Sequence, residues 1–312
     1  MDSVYHVPIM ATEISQMLQI KPDGVYFDGT LGGGGHSEMI LSNLQTGTLI
    51  ATDKDDDALA FASKRLEKFG ERFKCYKSDY LYGAEVIKQA GYSCVDGILL
   101  DLGVSSFQLD NFERGFSYRG DNFPLDMRMD KSIDFSAYDV VNAYSEKELV
   151  KIFKEYGEER FSLRIAQKIC TERKNAPIKT TGELVSIIRS CVPQSLGAKE
   201  GHPAKRVFQA IRIEVNGEIA NLENALKALV EKLSVGSRIC VLTFHSLEDR
   251  IVKNLFKYLE ADCVCDKSIP ICVCGKKKEG KIITKKPVLA TPEEQKLNSR
   301  AIPAKLRVLE KV

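Results

Sequence analysis

Apolar runs and polar breaks alternate along the N-terminal third of the chain in a strand–helix rhythm. Val25-Tyr26-Phe27 is a short apolar run that ends in Asp28, breaks into Gly29-Thr30-Leu31-Gly32-Gly33-Gly34-Gly35-His36, and resumes as an amphipathic segment over 37–44. Residues 48–53 predict a second strand and 55–69 a helix, with acids in its first turn and Lys64, Arg65 and Lys68 later, as a helix dipole favours. A third strand is expected over 73–78, a short helix over 84–90 and a fourth strand over 95–101. Strands alternating with helices imply a parallel sheet built from right-handed crossovers. Asp28, Asp53, Asp79 and Asp101 all fall at or just past strand ends, and ligands of such sheets bind at the carboxyl ends.

The rhythm then stops. Residues 107–211 are mostly helical in pattern, over 146–156, 158–174 and 181–191. They read as an inserted helical domain that leaves 1–106 and 212–312 to form one α/β domain. A long helix is expected over 216–233, a strong strand over 238–244, a helix over 248–259, and short strands over 281–284 and 305–309.

Glycines after a strand let a nucleotide-like ligand approach backbone N–H groups and a helix N-terminus. A dinucleotide fingerprint started from Gly32, Gly33 or Gly29 fails at Ser37, Glu38 or Leu31, and a phosphate loop fails because His36 follows the last glycine. What remains is the acid-plus-glycines pattern of S-adenosylmethionine (SAM) sites, with Thr30 standing where the first glycine is expected. A closing antiparallel pair at the C-terminal end of the chain suits a methyltransferase sheet better than a dehydrogenase sheet. Asp53 stands where a carboxylate accepts ribose hydroxyls, or else caps the next helix, a role that Asp55, Asp56 and Asp57 can share. Asp79 can take an adenine amine with Tyr80 packed on the ring, or be a turn acid beside a core tyrosine. The turn Asp101-Leu102-Gly103-Val104-Ser105-Ser106 stands where amino-methylating enzymes hold their acceptor nitrogen, and Asp101, Ser105 and Ser106 are its side-chain acceptors. His245 ends the last strong strand, where it either serves the substrate side or caps the following helix.

These residues resemble the bacterial 16S ribosomal RNA cytosine-N4 methyltransferases. The match runs through His6-Val7-Pro8-Ile9-Met10, the glycine loop, Asp96 to Ser106, Gln108-Leu109-Asp110, Arg114-Gly115-Phe116-Ser117 and Pro124 to Asp130. It continues through Tyr156 to Phe161, His202 to Arg212, Phe244 to Lys253 and Lys305-Leu306-Arg307-Val308. The resemblance implies a Rossmann-like SAM-dependent sheet, SAM as methyl donor, and N4 of a decoding-region cytidine in the small ribosomal subunit as acceptor. It carries cofactor contacts onto Gly34, Gly35, His36, Asp53, Tyr80, Asp101 and Gln108. Asp126, Arg128, Lys205 and Arg206 are substrate-side candidates.

Composition adds limits. The 312 residues, 44% hydrophobic and 28% charged, suit a globular protein of one large or two modest domains. The net charge of +2 conceals basic clusters at Lys199–Arg212 and Lys276–Lys286. Nine cysteines without a small-domain framework point to a reducing compartment, and with no signal-peptide pattern the expectation is cytoplasmic. No membrane association is expected. A homodimer is left open. Cys263, Cys265, Cys272 and Cys274 form paired Cys-x-Cys motifs that either hold a structural zinc or stay reduced. A DNA amino-methyltransferase is disfavoured by the missing Asp/Asn-Pro-Pro motif, and a non-catalytic SAM-binding scaffold by the intact crevice acids.

Overall fold

A computed structural model describes residues 8–120, 122–193, 201–266 and 271–312. His6, Val7 and Lys199 of the motifs above lie outside the described residues. The chain divides into two compact units, 1–103 with 219–312, and 104–218. Periodicity alone puts these limits at 106/107 and 211/212, a few residues away.

The first unit begins with α1 (Ala11–Leu18), which the strand–helix rhythm did not announce, and enters β1 (Val25–Asp28). Then follow α2 (Gly35–Asn43), β2 (Thr48–Asp53), α3 (Asp56–Leu66), β3 (Phe73–Lys77), α4 (Gly83–Gln89) and β4 (Val95–Asp101). Asp55 caps α3 by accepting the Asp57 amide at 3.0 Å.

The second unit is helical: α5 (Ser106–Asp110), α6 (Ala137–Ala143), α7 (Glu146–Glu155), α8 (Ser162–Glu172), α9 (Thr181–Cys191) and α10 (Lys205–Asn216). Capping boxes set its helix starts, Ser145 with Glu148 and Thr180 with Glu183. Phe153, Ile165, Ile169, Leu184, Ile188, Phe208 and Ile211 belong to its own buried core.

The chain returns to the first unit through α11 (Leu222–Glu231), β5 (Leu233–Thr243), α12 (Ser246–Glu260), β6 (Gly280–Ile282), β7 (Val288–Leu289), α13 (Pro292–Leu297) and β8 (Lys305–Lys311). The helix expected over 216–233 is shorter, Leu222–Glu231, and Asn216, expected as its start, is instead the last residue of α10. Gly217 ends α10 in the left-handed region at φ 63°, and α11 starts afresh five residues on.

The strand order is β3-β2-β1-β4-β5-β8-β6, with β7 also on β8. Strands β1 to β5 pair in parallel, and β8 runs antiparallel to β5, β6 and β7. Side-chain alternation divides the core between the two faces of this Rossmann-like α/β sheet. Leu49, Ala51, Leu99, Cys240 and Leu242 pack with α1 and α2. Ile50, Ile98, Leu100, Ile239 and Val241 pack with α11 and α12. The order reverses between β1 and β4, so the carboxyl ends of those two strands flank the switch point.

Candidate active site

Three acids organise the switch point, each differently. Asp28 is fully buried, and both its oxygens are engaged: Oδ1 accepts the Thr30 amide at 3.0 Å and Oδ2 the Ser37 hydroxyl at 2.7 Å. Burial pushes its carboxyl up from the ordinary range. Thr30 Oγ1 in turn accepts the Asp101 amide at 2.6 Å. The residue that replaces the expected glycine therefore ties β1 to β4 beneath the loop.

Asp53 pins the loop from β2. Its Oδ2 accepts the Gly32 amide at 2.8 Å and its Oδ1 the Asp55 amide at 2.9 Å. Because Asp55 caps α3, Asp53 does not have to. Each Asp53 oxygen keeps a further lone pair for a ligand hydroxyl. Desolvation pushes this carboxyl up to about 6.

Asp101 ends β4. Its Oδ2 lies 3.5 Å from His36 Nδ1, while Oδ1 is buried with no hydrogen-bond partner among the described residues. Burial raises its pKa to about 6; His36 opposes the shift, and the charges of Asp28 and Glu248 add to it. His36 Nε2 sits 2.9 Å from the Ile9 carbonyl, which can only accept, so this nitrogen carries the hydrogen. Nδ1 then faces Asp101, and the approach is attractive when a proton lies between them.

Gly34 adopts φ 76° as the N-cap of α2, and a Cβ there would meet Ala62 at 3.2 Å and Leu66 at 3.3 Å on α3. Its side-chain face is thus spent on helix packing. A Cβ on Gly35 would press on Pro8 at 3.2 Å. What remains for a ligand is backbone: the first helical bond of α2 runs from the Glu38 amide to the Gly34 carbonyl, so the amides of Gly35, His36 and Ser37 precede the helical ladder. Tyr80 follows β3 and is half-buried against the loop entrance, where a Cβ on Gly29 would come within 2.9 Å of its own Cβ. Asp79 is held by Lys54 at 3.0 Å and accepts the Leu81 amide at 3.1 Å.

The remaining candidates are engaged locally. Ser105 and Gln108 form a capping box on α5, with Ser105 N donating to Gln108 Oε1 at 3.0 Å and Gln108 N to Ser105 Oγ at 3.2 Å. Ser106 is the first residue of α5. Arg128 binds Asp126 in a bidentate pair at 2.8–2.9 Å and donates to the Ile133 carbonyl at 2.7 Å, which shapes that loop. Lys205 is exposed at the start of α10, and Arg206 reaches the Glu158 carbonyl at 3.5 Å. His245 is the N-cap of α12, its Nδ1 accepting the Glu248 amide at 3.4 Å. Its Nε2 is 3.0 Å from buried Glu248 Oε1 without hydrogen-bond geometry. Cys263, Cys265, Cys272 and Cys274 gather in the loop between α12 and β6.

The roles of Thr30, Ser37 and Glu248 as hydrogen-bonding ties were not part of the sequence reading. Thr30 announces itself as the exception in a glycine run, and Glu248 completes a capping box three residues after His245.

The MraW methylase family matches residues 3–312. The chain belongs to that family. Among its relatives are proteins called ribosomal RNA small subunit methyltransferase H. That of Fusobacterium nucleatum is 52% identical over 309 residues, covering 99% of this chain and 97% of the relative. That of Clostridioides difficile is 50% identical, covering 99% of each. That of Caldicellulosiruptor saccharolyticus is 52% identical, covering 98% of this chain and 99% of the relative. As a MraW-family methylase the chain needs a methyl donor, and its residues fit SAM. Asp101 Oδ1 is a buried acceptor awaiting a donor, Asp53 offers lone pairs suited to ribose hydroxyls, and the first turn of α2 offers amides.

Proposed function

We propose that this chain transfers a methyl group from SAM to N4 of a cytidine in the decoding region of 16S ribosomal RNA within the small ribosomal subunit. The observation that carries this is Asp101: an acceptor oxygen, buried and unpartnered, at the end of β4 and beside the glycine loop. Bound SAM supplies a methyl already activated on a sulfonium. The chain's task is then proximity and alignment. Asp53, Tyr80 and the backbone of Gly34, Gly35 and His36 hold the donor, with Gln108 fixing the turn after Asp101. An exocyclic amine has its lone pair delocalised into the ring, so it reacts only when an acceptor turns it and takes up its proton. In this reading Asp101 does both, its free acceptor oxygen supporting the role, and Ser105, Ser106 and His245 serve the acceptor side. The helical insertion recognises RNA, with Lys205 and Arg206 contacting phosphates and Asp126 and Arg128 shaping the loop that faces the substrate. Phosphate contacts of this kind set orientation and affinity rather than sequence choice. The substrate implies the cytoplasm as compartment; among the described residues no helix is long and apolar enough to cross a membrane.

The test is transfer of labelled methyl from SAM into small subunits isolated at successive assembly stages, with the modified nucleotide mapped. Label in one decoding-region cytidine, at N4, is the expected result. Label only in DNA, or in no RNA at any stage, overturns the proposal.

A further inference from the structure

The loop from α12 to β6 carries the four cysteines that methyl transfer leaves unused. All four Sγ atoms lie within 4.8 Å of one another. Cys272 is 3.5 Å from Cys274 and 4.0 Å from Cys265, and Cys274 is 3.8 Å from Cys263. A disulfide requires about 2.05 Å, and all four are free thiols. A tetrahedron with zinc–sulfur bonds of about 2.3 Å has edges of about 3.8 Å, the spacing seen here. Backbone amides point at the sulfurs: Cys265 N donates to Cys263 Sγ at 3.4 Å, Val264 N to Cys274 Sγ at 3.5 Å and Val273 N to Cys265 Sγ at 3.5 Å. Amides directed at sulfur are what thiolate ligands need, since each offsets part of the negative charge.

Burial does not explain the cluster. Cys263, Cys272 and Cys274 are exposed, so no hydrophobic gain gathers them. We propose that Cys263, Cys265, Cys272 and Cys274 bind one structural zinc ion. Four sulfurs at tetrahedral spacing leave no open coordination position, which separates a structural site from a catalytic one. Nor does this spacing admit the bridging sulfides of an iron–sulfur cluster. Zinc with four thiolates carries a net double negative charge, and Lys277 and Lys278 follow in sequence to balance it, while Lys276 is paired with Glu279. The base of the loop is already fastened: Glu279 N donates to the Leu259 carbonyl at 2.8 Å, Ile282 N to Glu260 Oε1 at 2.8 Å, and Lys276 Nζ sits 4.7 Å from the Tyr258 ring centre. Among the described residues of the tip the apolar side chains Val264, Ile271 and Val273 are exposed, so it is the ion that closes it.

The full chain, purified under reducing conditions without a metal-affinity tag, should contain about one zinc per chain by mass spectrometry of the elements. A mercurial reagent should release that zinc. The Cys272→Ser/Cys274→Ser variant should lose at least nine-tenths of the metal and be cut faster by protease within the cysteine loop, with SAM affinity unchanged. Cobalt(II) supplied to metal-stripped wild-type protein should give tetrahedral d–d bands and sulfur-to-cobalt charge transfer, a readout independent of the variant. Metal-free protein whose four thiols all react at once with Ellman's reagent overturns the site. Iron in place of zinc overturns the assignment.

Discussion

Asp101 pays for its readiness with a buried charge: one oxygen faces His36 and the other has no hydrogen-bond partner among the described residues. Asparagine there cannot ionise, and its amide can donate to His36 Nδ1 when that nitrogen carries no hydrogen. Asp101→Asn should therefore melt at or above the wild-type temperature near neutral pH and yet lose about 10²-fold in methyl transfer, the usual scale for a lost transition-state electrostatic contact. Calorimetry beside a labelled-methyl assay checks both halves, and parallel loss of stability and activity would count against the role. The same burial sets a pH dependence. Asp53 and Asp101 rise from 3.8 to about 6 in the folded chain, so between those values the folded form binds more protons than the unfolded one. Unliganded stability should then fall as pH rises through this window. Donors on SAM favour the ionised carboxylates, so SAM affinity should rise through about pH 6 and level off above it, with protons released on binding. Titration calorimetry in buffers of different ionisation enthalpy measures that release, and a flat profile would contradict it.

At the scale of elements, α12 begins on a cap that is also a proposed substrate-side residue. His245 accepts the Glu248 amide, while Glu248 Oε2 accepts the Phe244 amide at 2.8 Å and the His245 amide at 3.2 Å. His245→Ala should cost about 1 kcal/mol of stability, as a lost N-cap does. His245→Asn keeps a good cap and should melt like the wild type. If the side chain also serves the substrate, both variants lose methyl transfer with SAM affinity unchanged; recovery of transfer in the asparagine variant would leave His245 a cap alone. Local pattern made several such elements legible. The apolar run Ile98-Leu99-Leu100 of β4 and the Thr180 capping box of α9 put those elements where they were expected, because burial of both faces and a capping box each leave a short-range mark. The end of α10 left one too, Gly217 in the left-handed region, which a helix read over 216–233 runs straight through. Asn216 reads as a helix start, but it accepts the Met129 amide at 2.8 Å and donates to the Met127 carbonyl at 2.7 Å, partners far away in sequence. The site divides in the same way. Acids at strand ends are visible one by one, whereas the bond from Asp101 N to Thr30 exists only once β1 and β4 are in register.

The first unit is assembled from both ends of the chain, and its sheet depends on the last strand to arrive. β8 is an interior strand: it pairs with β5 on one side and with β6 and β7 on the other. Leu306, Val308 and Leu309 are fully buried, Leu306 and Val308 in the core under one sheet face and Leu309 under the other. Arg307 and Lys305 both reach Asp249 on α12, the Lys305 pair at 3.4 Å. A chain ending at Ala304 would forfeit about 1.5–3 kcal/mol for each of the three aliphatic side chains. It would also leave the whole edge of β5 unpaired, as well as an uncompensated Asp249. That total is comparable to the entire net stability of a typical domain. Such a truncation should abolish SAM binding and the cooperative melting of the first unit, although Asp53, Asp101 and the glycine loop lie some two hundred residues earlier. The second unit has its own buried core, so it should keep slowly exchanging amides in α7, α8 and α9 in the same truncated protein. Hydrogen exchange read by mass spectrometry separates the outcomes. Protection lost in β1–β5 and kept in α7–α9 is expected, and retention of protection in β1–β4 with SAM still bound would show that the sheet closes without its final strand.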